Sequence, residues 1–294
     1  MNKINIRFAS KAEAQKLIQG NTQYYNRLTQ MDIDWRARKE NATLEELIVF
    51  AQSQVQDFSP HNIKILEDTI AKVEHLLDVR GCQLPIPEEI IFVKTDMKDE
   101  SNAGAYTTRN QIFVNSKMLE KRTTGLEILI AHELFHCITR HSPEFRKAMY
   151  ALIGFTVMDH DIDFPENIRR VTMANPDVDH IDYYAEFTIN GEKLKCTILP
   201  FYGKSWEEAY AKEGDTARFF RHIGVVLLPL DGFYDVFDVS DASDFWQKMG
   251  ENTNYINSPE ECLAVNFSYA VIFGPDCDYD TPQLIKAILD TLKT

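Results

Sequence analysis

Three features of the sequence predict an α+β fold. Runs rich in β-branched and aromatic residues at 89–94 (EIIFVK) and 111–115 (QIFVN) lead into a long apolar helical stretch that begins near Thr124. Asn190-Gly191 lies between two alternating segments, 182–189 and 192–199, the strongest signal for a two-residue hairpin. Apolar residues at three- and four-residue spacing fill the first 80 positions and return after about residue 241. Strands and helices thus occur in blocks rather than in strict alternation, the pattern of an α+β architecture.

Taken in order, helices are expected at 11–28, 43–58 and 61–79, with Thr43 and Glu46 forming a capping box and Ser59-Pro60 separating the second from the third. The rigid LPIP at 84–87 closes this helical N-terminal region, 1–84. A core region, 85–180, follows: a strand at 89–94, then a hairpin from Ala103–106 through a turn at 108–110 to 111–115. The next helix is expected to take Thr124 as N-cap and Glu127 at N3, and to stop at Ser142-Pro143. The acidic stretch from Asp159 to Asp177 reads as solvated turns. It is no calcium loop, since Phe164 and Arg170 stand where glycine and glutamate are required.

A β-rich insertion is expected at 181–240. Around Asn190-Gly191, Phe187 faces Leu194, Ala185 faces Cys196, Tyr183 faces Ile198 and Glu186 faces Lys195. A second hairpin is expected from 225–230 and 233–239 about Asp231-Gly232. Residues 241–294 read as C-terminal helices.

The chain has 294 residues, 44% apolar and 26% charged, ordinary for a folded domain. A net charge of −14 argues against nucleic acid and anionic membranes as partners. No run reaches the roughly 18 apolar residues of a membrane span, and the start shows no signal-peptide core, so a cytoplasmic location is expected. The five cysteines are odd in number and widely spaced, without C-x-x-C. Reduced thiols follow, with Cys137 and Cys262 as small buried apolar groups. No glycine-rich phosphate loop and no G-x-S-x-G occurs.

The chemistry is concentrated in His132-Glu133-Leu134-Phe135-His136. Histidines four residues apart project from one helix face and can share a zinc ion, while Glu133 can take a proton from metal-bound water. A catalytic zinc needs a third protein ligand. His141, at the helix end, is one candidate. Glu261 is the better one: Ser258 is a natural N-cap, Pro259 fits N1, and Glu261 would project from the first turn, with small Ala264 one turn on. Glu261 could instead close a capping box with Ser258, and Glu260 and Glu261 could merely complement the helix dipole.

HELFH followed at long range by EECLAVNF resembles the gluzincin class of zinc metallopeptidases, whose pattern is H-E-x-x-H then E-x-x-A-x-x-F. The segment from Gly104-Ala105-Tyr106 to Asn115 resembles the edge-strand region of that class, where substrate adds as an extended strand. The resemblance covers about 88–145 and 250–270. It implies a zincin-like core, one Zn²⁺ per chain, His132, His136 and Glu261 as ligands and Glu133 as general base. The class often has an acidic residue four positions after the third ligand to orient an imidazole. Here that position is Val265, leaving neighbouring Asn266 to substitute.

The expected function is therefore a zinc metallopeptidase acting on peptide or protein substrates. Tyr255 is the expected oxyanion donor, with His222 and Tyr106 as further choices. A non-catalytic binding protein on the same scaffold, or a zinc hydrolase of non-peptide amides, are the alternatives: a long cleft favours peptides, a small closed pocket the last.

Overall fold

The computed structural model describes residues 3–232 and 235–293. The N-terminal region runs β1 (Ile6–Phe8), α1 (Lys11–Gln19), α2 (Thr22–Tyr25), α3 (Gln30–Ala37), α4 (Leu44–Gln54), β2 (Val55–Gln56) and α5 (Pro60–Val79). The helix expected at 11–28 thus breaks at Gly20-Asn21, and α3 is additional. Thr43 and Glu46 do form a capping box on α4.

Next come β3 (Ile90–Thr95), β4 (Ala105–Thr108), β5 (Gln111–Asn115), α6 (Thr124–His141) and α7 (Pro143–Ala151). β3 is central. It pairs parallel with β5 on one edge, while β1 and β2 share the other. β4 runs antiparallel to β5 and forms the outer edge, the expected hairpin, but with Thr108 in the strand opposite Gln111, so that the turn is only Arg109-Asn110. The near-continuous apolar run of β3 has a simple cause: both faces are covered. Ile90 and Phe92 pack with Leu66, Ile70 and Leu134 of α5 and α6, whereas Ile91 and Val93 pack with Ile18 and Ala51 of α1 and α4.

α6 is capped one residue earlier than expected, by Thr123 instead of Thr124. Thr123 Oγ1 accepts from Leu126 N at 3.1 Å, and Glu127 turns to Arg122 at 3.4 Å instead of closing a box on Thr124. Ser142 ends α6, and its Oγ accepts from Phe145 N at 3.3 Å to cap α7, a helix the sequence reading leaves out.

The second sheet is antiparallel, in the order β10-β9-β8-β7-β6. Its strands and intervening helices are β6 (Thr156–Val157), α8 (Glu166–Arg169), β7 (Tyr183–Ile189), β8 (Glu192–Tyr202), α9 (Trp206–Glu213), β9 (Ile223–Pro229) and β10 (Phe237–Asp238). The expected pairs Phe187–Leu194, Glu186–Lys195 and Ala185–Cys196 are present. The ladder starts at Ala185, and Tyr183 pairs instead with Val157 of β6. The second expected hairpin is not a two-residue turn. β10 pairs Phe237 with Leu227, so residues 230–236 lie between the strands. Phe233 and Tyr234, assigned to its returning strand, lie outside the described residues.

α10 (Phe245–Met249), α11 (Pro259–Ile272) and α12 (Pro282–Thr291) complete the chain. One hydrophobic core runs from the first sheet through α6 and α11 to Phe187 and Ile198 of the second. Cys82, Cys137, Cys196 and Cys262 are buried, and Cys277 is exposed. Among the described residues no helix is long and apolar enough to cross a membrane.

Candidate metal centre

α6 is sandwiched between the first sheet and α11, which buries Glu133 and His136 and leaves His132 slightly open. The two imidazoles stand 4.7 Å apart, centroid to centroid, as their four-residue spacing requires. α11 faces them because Ser258 and Pro259 start it and Ala264, fully buried, permits close approach.

Ser258 Oγ accepts from Glu261 N at 3.1 Å, but the Glu261 carboxylate does not return to the cap. It crosses to α6, with Oε2 3.0 Å from His132 Nε2 and 3.6 Å from His136 Nε2. Of the two roles the sequence leaves open, the Glu261 side chain leaves the cap and faces the two imidazoles.

The donor set fits a zinc ion. The Glu260 carboxylate lies 3.0 Å from His136 Nδ1, a contact that favours a proton on Nδ1 and turns Nε2 toward Glu261 as the ring nitrogen a metal would take. That Nε2 is buried without a hydrogen-bond partner. The ligand atoms of His132, His136 and Glu261 all lie within 4.8 Å of one another. Two imidazole nitrogens and one carboxylate oxygen suit Zn²⁺ with a position left for water.

Glu133 lies beside this set. Thr107 Oγ1 of β4 donates to Glu133 Oε2 at 2.6 Å, and Thr107 N donates to Asp177 Oδ1 at 2.6 Å. Glu133, His136 and Asp177 form a second close group, also within 4.8 Å. Asn175 Nδ2 donates to Glu261 Oε1. Asn175 and Asp177 are buried, so this end of the 159–177 stretch is not solvated turn but part of the site.

Burial and mutual proximity shift the ionisable groups of the site. Burial raises Glu133 above its ordinary value, with His132 and His136 opposing. Burial and the neighbouring Glu133 push Asp177 well up. Glu261, against the cost of its own burial, is held low by the hydrogen-bonded His132 imidazole and by the adjacent His136. His136 is raised, burial notwithstanding, chiefly by Asp177 and by Glu260. Buried carboxylates that favour protons for want of positive charge gain from a bound cation.

Tyr255 stands at the rim, its OH 3.4 Å from Glu261 Oε1 and its ring 6.4 Å from that of His132. The other residues singled out lie elsewhere. His141 is exposed at the end of α6. His222 Nε2 lies 2.8 Å from Glu213 Oε1, and its ring stacks on Trp35. Tyr106 points to the far face of the sheet, stacked on Phe113 at 4.6 Å. Asn266 bonds Cys262 O and Asn252 rather than an imidazole. The orienting group is Glu260, whose place beside Glu261 gave no sign beyond dipole complementarity. Thr107, Asn175 and Asp177 carry no local sequence signal at all.

A cleft of about 460 Å³ opens onto the site between β4 and the facing helices, lined by Gly104, Ala105, Leu129, Tyr255 and Tyr269, and it reaches Asp177.

A family model described as the eCIS core domain, the core of extracellular contractile injection systems, matches residues 93–144. That family includes a zincin-like, metallopeptidase-like fold. The match takes in β4, β5 and the whole of α6, and ends well before Glu261. No curated protein and no solved structure matches the chain.

Proposed function

We propose that the chain is a zinc-dependent peptidase of gluzincin type. The observation that carries this reading is the convergence of His132 Nε2, His136 Nε2 and Glu261 Oε2 from two helices, with Glu133 alongside and a cleft beside a sheet edge. When bound, zinc supplies a Lewis acid that polarises a carbonyl and makes water acidic enough to ionise near neutral pH.

The chain's own residues do the rest. His136 is fixed by Glu260, and Glu260 by Tyr150 and Thr139, so the ring cannot turn away. Glu133, raised by burial, is placed to take a proton from water and hand it to the leaving amine. Thr107 holds the Glu133 carboxylate in line. Tyr255 brings a hydroxyl to the cleft rim for a developing oxyanion. The outer edge of β4 at Ala105, which lines the cleft, suits an extended peptide.

The test pairs elemental analysis with a substitution. One zinc per chain is expected, and Glu133→Gln should retain it while lowering peptide hydrolysis by about 10²–10⁴-fold. Unaltered hydrolysis in that variant, or no zinc after reconstitution, defeats the proposal. The match over 93–144 favours a compatible second reading, that the chain works with an extracellular contractile injection system. Co-sedimentation with assembled particles would show it, and free chain alone would argue against it.

A further inference from the structure

β4 is the outer strand of its sheet. Thr107 N donates to Asp177 and not to β5, so the Thr107 main chain faces outward. By strand alternation Ala105, two residues earlier, faces outward too. Ala105 lines the cleft with His132 and Glu133, whereas the Thr107 position is already taken.

What takes it is a built wall rather than a loose loop. Along 174–179, Ala174 O accepts from Arg36 at 2.6 Å, Asn175 O and Val178 O from Arg27, and Pro176 O from Arg140 at 2.8 Å. Asp179 pairs with Arg140 at 2.8 Å, and the Asn175 side chain binds Glu261. A separate cavity of about 590 Å³, lined by Asn175, Val178 and Asp179, lies against this same segment, while the catalytic cleft is bounded by Asp177.

An extended peptide that adds to β4 therefore gains the Ala105 position and then meets Asp177. Running antiparallel to β4, it would bring its N-terminus to this wall; running parallel, its C-terminus. The groups waiting there are the carboxyl oxygens of Asp177 and Glu133, grouped with the His136 imidazole, and the oxygens are hydrogen-bond acceptors. They match an ammonium and repel a terminal carboxylate.

We propose that the site is an aminopeptidase: it takes peptides with a free α-amino group, anchors that amine at Asp177, and removes residues from the N-terminus. The inference rests on the hydrolase reading above. Water adds its hydroxyl to the carbonyl carbon of the first residue, the C–N bond breaks, and the second proton goes to the leaving amine of the shortened peptide.

The test uses the zinc-loaded full chain and one peptide in two forms, free and N-acetylated, with products read by mass spectrometry. Stepwise loss from the free form is expected, with the acetylated form slower by about thirtyfold or more. Internal cleavage of both at similar rates overturns the inference and leaves the hydrolase reading intact. If neither is cut, the hydrolase reading fails, and titration calorimetry of both peptides against Glu133→Gln protein decides amine recognition: at least about tenfold tighter binding of the free form supports it, equal or absent binding overturns it. Asp177→Asn keeps an acceptor for Thr107 N but removes the charge. It should raise KM for the free peptide and flatten the preference at unaltered zinc content, and an unchanged preference speaks against the role.

Discussion

At His136 the two ring nitrogens have different partners, Glu260 on Nδ1 and the site on Nε2. Glu260 in turn accepts from Thr139 at 2.6 Å and from Tyr150 at 2.8 Å. Glu260→Gln should therefore weaken zinc affinity by about 10–100-fold without unfolding the chain, as measured by competition with a chelating indicator. A second residue-scale expectation concerns Asp99. Burial, with Glu100 beside it, pushes the Asp99 carboxyl up to about 7 from 3.8. The folded state then holds a proton that the unfolded state has lost, so this group's contribution is intact below pH 4 and is lost as pH rises through 7. Asp99→Asn should remove that loss: its urea midpoint should gain on wild type between pH 5 and pH 8, and a constant difference would refute the assignment. The histidines and Glu133 were legible because one helix turn fixes their geometry. Glu261 was legible because its helix start carries a cap signal and a small residue one turn on. Asn175 and Asp177 were not, since arginines more than thirty positions away in sequence place their loop.

Among elements, α3 shows how a helix outside the site supports it. Asp32 closes the capping box with Thr29, accepts from Ala174 N at 3.0 Å and pairs with Arg36 at 2.9 Å. Arg36 also pairs with Glu100 at 2.8 Å, all three side chains being buried. Removing one partner of such a cluster strands the others without water, so Arg36→Ala should cost about 3–5 kcal/mol in denaturant unfolding. Zinc affinity should fall with it, because Arg36 fixes Ala174 and hence Asn175. The eight-residue α3 and nine-residue α7 escaped the sequence reading because each is short and held by tertiary contacts. The β7–β8 hairpin was readable because turn chemistry and alternation agree. The longer β9–β10 connection offered a misleading Asp231-Gly232.

For the whole molecule, the centre joins residues 107, 132–136, 175–177 and 260–261, segments that meet only in the folded chain. Zinc bound there stabilises the native state alone, by about 2.7 kcal/mol at a free concentration of 100 Kd. Chelation should lower the thermal midpoint accordingly, and Glu261→Ala should abolish that dependence in calorimetry; a midpoint indifferent to chelator in wild type would contradict the assignment. The α+β class was evident from the order of strand and helix signals. Which sheet face the N-terminal helices cover was not, because amphipathic spacing does not name the partner.

The corner at Ser142 has a mechanical consequence. α6 and α7 meet there, and Glu260 on α11 ties back to His136 on the first and Tyr150 on the second. Three struts joined at three points form a triangle, the one frame that cannot shear without stretching a member. Thermal agitation that would rock α6 is thus converted into strain on short hydrogen bonds, and the imidazole stays aimed even though the cleft beside it is open to solvent.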